Sequence, residues 1–233
     1  MNLFYSKHIS DKTKTYTFDK DESRHISRVL RKNIGDPLHI TNGKGYLFRG
    51  KIIDNNPKKT IVEIKNIDFK PKKTYSVHIA IAPTKSNDRI EWFLEKATEI
   101  GIDEISLLLT EHSERKKVNP QRYKKIIIAA MKQSLQTYKP TLNTLIKYND
   151  FIEHNFDGYQ KAIAYCKADL HLEKSIEPKK NVVLLIGPEG GFSEEEFHMA
   201  FDKGFIPVKL SQNRLRTETA GIVGVQSISS INV

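Results

Sequence analysis

Cysteine is almost missing from this chain, with Cys166 the single one among 233 residues. That excludes an internal disulfide and a zinc site built on a cysteine pair, and it points to a reducing compartment. Cys166 itself is expected to be a small buried hydrophobe without chemistry. Long apolar runs are missing too. The longest, Ile126 to Met131, is far short of the roughly 20 residues that a bilayer span needs. Lys7 and His8 break up the N-terminus, so no export segment, no membrane partner and a cytoplasmic location are expected. His8, His25, His39, His78, His112, His154, His171 and His198 stand at no metal-ligand spacing, so no metal is expected. No Gly-x-Ser-x-Gly elbow suggests a hydrolase, and no Gly-Lys-Ser/Thr triplet suggests a polyphosphate site.

Charge is what the chain has in quantity. The net formal charge is +10, of which residues 1–72 hold 16 Lys and Arg against 8 Asp and Glu. Residues 73–233 hold 22 against 20, so the positive field belongs to the N-terminal part. That part reads as β-rich: Leu38 to Thr41, a hairpin-type turn at Asn42-Gly43, Tyr46 to Arg49, Lys51 to Ile53 and Ile61 to Ile67. A small basic β domain suits nucleic acid held through its phosphates. Its densest cluster is Arg24, His25, Arg28, Arg31 and Lys32. If 21–32 is one helix, the four cations other than His25 share a face, while Ile26, Val29 and Leu30 turn the other way.

Pro71-Lys-Lys73 is the expected boundary, giving domains 1–72 and 73–233. Beyond it strands and helices alternate: strand 77–82, a helix capped by Asp88 and ended by Gly101, strand 105–109, helix 120–135, strands 162–165 and 182–186, helix 194–203, strand 207–210 and a last helix from Thr217. The order predicts an α/β domain with a mostly parallel sheet.

Two loops in that second part carry the chemistry. Val182 to Ile186 is apolar without alternation, as befits a strand buried on both faces, and it stops at Gly187-Pro188. Gly190 and Gly191 can take positive φ. Ser193 with Glu196 makes a capping box, and Phe192 with Phe197 a hydrophobic staple. Glu189, Glu194, Glu195 and Glu196 crowd the positive end of that helix, which disfavours polyphosphate and suits a neutral or cationic group such as a sulfonium. The second loop, Ser211 to Arg216, precedes Thr217 as the expected cap and brings Arg214 and Arg216 to its end. Ala220, Gly221 and Gly224 then strip side chains from part of the final helix. A tight turn and a closely packed terminal helix, with no ligand, remain the alternative. A Rossmann-type enzyme would carry its glycines after the first strand of the domain, where Pro83-Thr-Lys-Ser-Asn87 has none.

Leu184-Leu-Ile-Gly-Pro-Glu-Gly-Gly-Phe-Ser193 followed by Leu215-Arg-Thr-Glu-Thr-Ala220 resembles the signature pair of the SPOUT-class RNA methyltransferases, most closely the ribosomal RNA small subunit methyltransferase E family. Asp88 to Gly101, Ser113-Glu-Arg115, Arg24 to Arg31 and Gly35-Asp36 extend the resemblance over nearly the whole chain. Met131-Lys-Gln-Ser-Leu-Gln-Thr-Tyr-Lys139 departs from it, lacking a usual Gly-Arg pair that Lys132 or Lys139 could replace, and Ser211-Gln-Asn213 stands where a Gly-Pro is common. The resemblance implies a PUA-like N-terminal β-barrel, a SPOUT domain with a C-terminal trefoil knot, and a homodimer. It implies methyl transfer from S-adenosylmethionine to N3 of a uridine in 16S ribosomal RNA. Cofactor contacts are expected from Ala164, Leu185, Gly187, Glu189, Gly190, Gly191, Leu210, Ser211, Leu215, Thr217 and Ala220, mainly through backbone. Arg216 is expected to face O2 or O4 of the base, and Glu218 to orient Arg216, to take the N3 proton, or merely to sit at a helix start. RNA contacts are expected from Arg24, His25, Arg28, Arg31, Lys32, Arg89 and Arg115. A catalytically silent RNA-binding assembly factor, or an enzyme acting on another RNA, remain alternatives at this level.

Overall fold

The computed structural model describes residues 2–232 and divides into two compact units, one of Met1–Lys72 with Met131–Lys139 and one of Lys73–Ala130 with Pro140–Val233. In the first unit, β1 (Leu3–Tyr5), β2 (Thr15–Thr17), β3 (Pro37–Thr41), β4 (Tyr46–Asn56) and β5 (Lys59–Phe69) form one sheet in the order β1-β3-β4-β5-β2. Phe48, Gly50 and Ile52 point inward from β4 while Arg49, Lys51 and Ile53 face water, the alternation of a half-buried strand. The inward set joins Phe4, Phe18, Ile26, Leu38, Ile40 and Val62 in the core. The expected break between Arg49 and Lys51 does not occur. Gly50 lets Val62 and Glu63 of β5 approach, and the irregularity becomes a register shift in one continuous strand. Nor is Asn42-Gly43 a two-residue hairpin turn: β3 and β4 are joined through a longer loop in which Gly43 and Gly45 both have positive φ.

The predicted helix 21–32 is corrected as well. α1 (Lys20–Arg24) gives way to a π-helical turn, His25–Val29, in which Leu30 N–H reaches back to the His25 carbonyl. The wider turn rotates later residues off the α-helical face: Val29 is 65% exposed rather than inward, and Arg31 has a left-handed φ of 51°. Arg24, Arg28, Arg31 and Lys32 therefore do not share one helical face, although all but the half-buried Lys32 are exposed.

Residues 131–139 complete this unit. The Thr137 carbonyl accepts from the Gly45 amide at 2.9 Å and the Thr41 hydroxyl at 3.2 Å, and Lys139 N–H donates to the Gly43 carbonyl at 3.0 Å. Lys132 pairs with Glu22 at 2.8 Å. The atypical segment is thus employed in closing the β3–β4 loop.

The second unit is a wholly parallel sheet in the order β11-β9-β10-β6-β7-β8, built from β6 (Val77–Ile81), β7 (Glu104–Leu109), β8 (Thr141–Lys147), β9 (Tyr159–Ala164), β10 (Asn181–Ile186) and β11 (Ile206–Val208). Around it lie α2 (Asn87–Ile100), α3 (Pro120–Gln133), α4 (Tyr148–Ile152), α5 (Leu172–Ser175), α6 (Glu194–Asp202) and α7 (Thr217–Ser230). β10 explains its unbroken apolar run. Val182, Leu184 and Ile186 pack with Phe93 and Leu94 of α2 and Val225 and Ile228 of α7, while Val183 and Leu185 pack with Tyr148, Phe151, Ala200 and Phe205. Each such side chain contributes roughly 1.5–3 kcal/mol on burial.

Several boundaries shift. Ser86, not Asp88, is the N-cap of α2, and Glu91 pairs with Arg122 at 2.6 Å instead of closing a capping box. Arg216, not Thr217, is the N-cap of α7. β8, α4 and α5 had no distinct sequence signal, and Cys166 is exposed rather than buried. No helix among the described residues is long and apolar enough to cross a membrane.

Helix α7 lies unusually close to its neighbours because two of its residues lack side chains. A Cβ on Gly221 would stand 2.6 Å from the Phe93 ring and 3.1 Å from Ile81, and one on Gly224 2.5 Å from Leu184. Gly221→Ala gains about 1 kcal/mol of helix propensity but meets a rigid ring, and overpacking of this kind costs typically 1–3 kcal/mol. Net destabilisation of Gly221→Ala in urea unfolding is the expected result; an unchanged or raised midpoint would show that α7 can move away freely.

At the amino end of the sheet, His78 is buried with Nε2 2.8 Å from Ser106 Oγ, and Asn143 donates to Ser106 at 2.9 Å and to Glu104 at 2.7 Å. Burial pushes the His78 imidazole below its ordinary value, His154 adds to this and Glu104 opposes it. The unfolded chain therefore takes up a proton near pH 6.5 that the folded chain refuses, and stability falls as pH drops through that value until the folded pKa is reached. His78→Gln should flatten the fall in stability as pH drops below about 6.5. Equal slopes in urea titrations of both proteins would assign the acid sensitivity elsewhere.

Candidate active site at the carboxyl edge of the sheet

β9, β10 and β11 are neighbours in register, so their carboxyl ends, Ala164, Ile186 and Val208, come out side by side. The loops that follow β10 and β11 are tied together by two bonds. Thr217 Oγ1 donates to the Gly187 carbonyl at 3.2 Å, and Arg214 Nη2 to the Glu189 carbonyl at 3.2 Å. The loops after β6 and β7 join the same edge. Lys85 N–H donates to Glu189 Oε1 at 3.1 Å, and His112 Nδ1 lies 3.2 Å from the Gly191 carbonyl.

The first loop owes its shape to its own residues. Gly191 has φ +78°, while Gly190 does not have positive φ; a Cβ there would meet the His112 side chain at 3.2 Å. So Gly191 serves the turn and Gly190 the close approach. Ser193 and Glu196 form the expected capping box, with Glu196 Oε2 accepting Ser193 N–H at 3.0 Å. Its other oxygen accepts Glu111 N–H at 2.8 Å, so one buried carboxylate fixes two loops. The flanking rings differ in their packing: Phe192 meets Tyr148, and Phe197 meets Tyr165. Glu194 and Glu195 stay exposed at the start of α6, keeping that end of the helix negative.

The expected cofactor residues separate by role. Gly187, Glu189, Gly190 and Gly191 line the first loop; Leu210, Ser211 and Leu215 lie on the second; Thr217 and Ala220 begin α7. Ala164 and Leu210 are half-buried against the core, but the Leu185 side chain is wholly buried on the far cluster, so only its backbone can serve. Glu189 Oε2 is buried without a hydrogen-bond partner. Backbone groups, small residues and an unsatisfied carboxylate oxygen fit an organic cation and not a phosphate chain.

Beside these loops, Asp88, Arg89, Trp92, Arg214, Leu215, Arg216, Glu218 and Thr219 line a cavity of about 660 Å³. Glu218 is 6% exposed and its Oε2 has no hydrogen-bond partner. Its Oε1 stands 3.7 Å from Nε of Arg89, which makes Arg89 the charge partner. Arg216 is exposed at the N-cap of α7. Arg115 is bound inward: its Nε donates to the Thr84 carbonyl at 2.7 Å and its Nη2 to the Lys85 carbonyl, so it fastens the loop after β6. Arg24, His25, Arg28, Arg31 and Lys32 belong to the first unit and are not part of this cluster. Glu111 and His112 carried no distinguishing sequence pattern, since their roles arise from strand order, and Trp92 reaches the cavity from α2.

The family model of an RNA methyltransferase domain matches residues 70–229, and that of an RNA methyltransferase PUA domain residues 18–65. The chain is 32% identical over 225 residues to ribosomal RNA small subunit methyltransferase E of Buchnera aphidicola, covering 93% of this chain and 88% of that protein. A protein from Porphyromonas gingivalis assigned as an rRNA-methyltransferase superimposes with a TM-score of 0.93 at 37% identity, over 100% of this chain and 98% of that one. A methyltransferase from Legionella pneumophila, solved with bound S-adenosylmethionine, gives a TM-score of 0.88 at 26% identity, over 99% and 97%.

Removing Glu196 strips two backbone amides of their acceptor at once. Glu196→Ala is expected to lower stability by about 2–3 kcal/mol, and Glu196→Gln, which keeps one acceptor, by less. Equilibrium urea unfolding of the three proteins checks the order, and equal losses for both variants would count against the two-loop role.

Proposed function

The chain belongs to the ribosomal RNA small subunit methyltransferase E family, and from that premise we propose that it methylates N3 of a uridine in 16S ribosomal RNA, on the assembled small subunit, with S-adenosylmethionine as donor. The observation that carries the residue assignment is the buried, unpartnered Oε2 of Glu218 in the wall of the arginine-lined cavity. A uridine N3–H is a donor of the kind that oxygen lacks.

Gly187, Gly191, Leu210 and Leu215 would hold S-adenosylmethionine by backbone and apolar contact. Bound there, it supplies a methyl group on a sulfonium, which departs as a neutral thioether. The rest is done by side chains. Glu218 accepts the N3–H hydrogen bond and takes the proton as the N3–carbon bond forms. Arg89, with its Nε 3.7 Å from Oε1, is the charged group that holds the Glu218 carboxylate in position. Arg216 presents a guanidinium to O2 or O4, where negative charge gathers as N3 loses its proton. Alignment of the two substrates across loops cross-linked by Thr217 and Arg214 supplies a further share of the rate. On the first unit, exposed Arg24, His25, Arg28 and Arg31 would meet RNA phosphates, which position the substrate without selecting it. The resemblance also supports a C-terminal trefoil knot, a homodimer and a cytoplasmic place of action.

Labelled S-adenosylmethionine should deliver its methyl to unmodified small subunits, and nucleoside analysis should identify N3-methyluridine. Glu218→Gln is expected to reduce kcat about 10²-fold or more, and Arg216→Ala about 10²–10³-fold. Undiminished turnover by Glu218→Gln would remove its role as proton acceptor. If no RNA gains a methyl group while the donor still binds, the protein is a silent RNA-binding factor.

A further inference from the structure

Trp92 is the chain's only tryptophan, and it is placed unlike its helical neighbours. On α2, Ile90, Phe93, Leu94 and Ala97 are fully buried and fix the helix against the sheet. Trp92 leaves 44% of its surface exposed and lines the cavity that holds Glu218 and Arg216. Trp92 thus keeps one part of its ring packed and another open to the cavity, and an indole presented on a rigid helix offers a planar apolar face to a partner. The chemistry around it narrows the partner. Arg89, Arg214 and Arg216 outnumber Asp88 and Glu218 in the lining, so the cavity is positive, and an apolar side chain, Leu215, shares its wall. A flat aromatic face, arginine forks and one unsatisfied carboxylate oxygen together match the three parts of a nucleotide: a base to stack, a phosphate to pair and an imide N–H to accept.

We propose that Trp92 is the stacking platform for the target base, a pyrimidine turned out of the RNA chain and held over the indole. This rests on the reading of the cavity as the place of methyl transfer. A stack on Trp92 tolerates any base because every base has a π face; selection for uridine then falls to Glu218. Trp92 would thus act in binding the RNA and leave the donor's affinity untouched.

The lone indole is its own reporter. Single-stranded oligonucleotides with one central uridine should quench its fluorescence, and oligonucleotides abasic at that position should not, binding about 5- to 150-fold more weakly. On small subunits, Trp92→Ala should raise KM by a similar factor with kcat less affected, Trp92→Phe should restore most of the loss, and calorimetry should show unchanged S-adenosylmethionine binding by both. Equal quenching by the abasic strand, no quenching by the uridine strand, or an unchanged kcat/KM for Trp92→Ala would each overturn the platform. So would tryptophan emission that shifts with protein concentration alone, which would place the indole against a second copy of the chain. The two readings fail separately. N3-methyluridine formed without base-dependent quenching would leave the function and remove the platform; base-dependent quenching without N3-methyluridine would do the reverse.

Discussion

The second unit depends on how closely α7 can approach α2 and the sheet. Gly221 sits against Phe93 and Ile81, and Gly224 against Leu184, at separations that no side chain could share. This contact sets where the start of α7 lies. Three residues before Gly221 is Glu218 and four before Phe93 is Arg89, and these two meet. One residue earlier, Thr217 reaches the Gly187 carbonyl, so the same approach brings the loop after β11 onto the loop after β10. Packing in the core therefore determines geometry at the surface. A helix without these glycines would have to stand further off, and the carboxylate would lose its partner.

Electrostatics follow from that placement. Glutamates cluster at the sheet edge, yet they perform distinct tasks: Glu196 holds two backbone amides, Glu189 holds Lys85 N–H, and Glu218 keeps one oxygen in reserve. Arginines nearby divide in the same way. Arg115 and Arg214 each donate to loop carbonyls, and Arg214 also lines the open cavity together with Arg216 and Arg89. The net positive charge of the chain is concentrated in the other unit, where exposed cations flank a π-helical turn.

Much of the second unit could be read from sequence because its signals are local. The apolar run of β10, the Ser193–Glu196 box and the Gly101 terminus each depend on a few adjacent residues, and each appears where expected. Elements decided by distant partners were not legible. β8 is half exposed, and Asn143 with Thr144 interrupts any apolar alternation along it, since Asn143 answers to Ser106 and Glu104. The π-helical turn at His25 and the start of α2 at Ser86 rather than Asp88 also departed from what local preference indicated. At the site, the two loops were evident, but the pairing of Glu218 with Arg89 depends on the crossing of two helices far apart in sequence, and that crossing leaves no spacing to find.

The first unit is not contiguous in the chain. Thr41, Gly43 and Gly45 find partners in residues 137 and 139, and Glu22 finds one in Lys132, all of them separated from the rest of the unit by much of the second. During synthesis, at roughly 5–20 residues per second, the emerging N-terminal sheet must wait several seconds for these partners to leave the ribosome. Its loop lacks those three protein partners through that interval, and water takes their place. An N-terminal fragment ending at the apparent domain boundary would remain permanently in this nascent condition, and the intact unit forms only after the first strands and helices of its neighbour have been made.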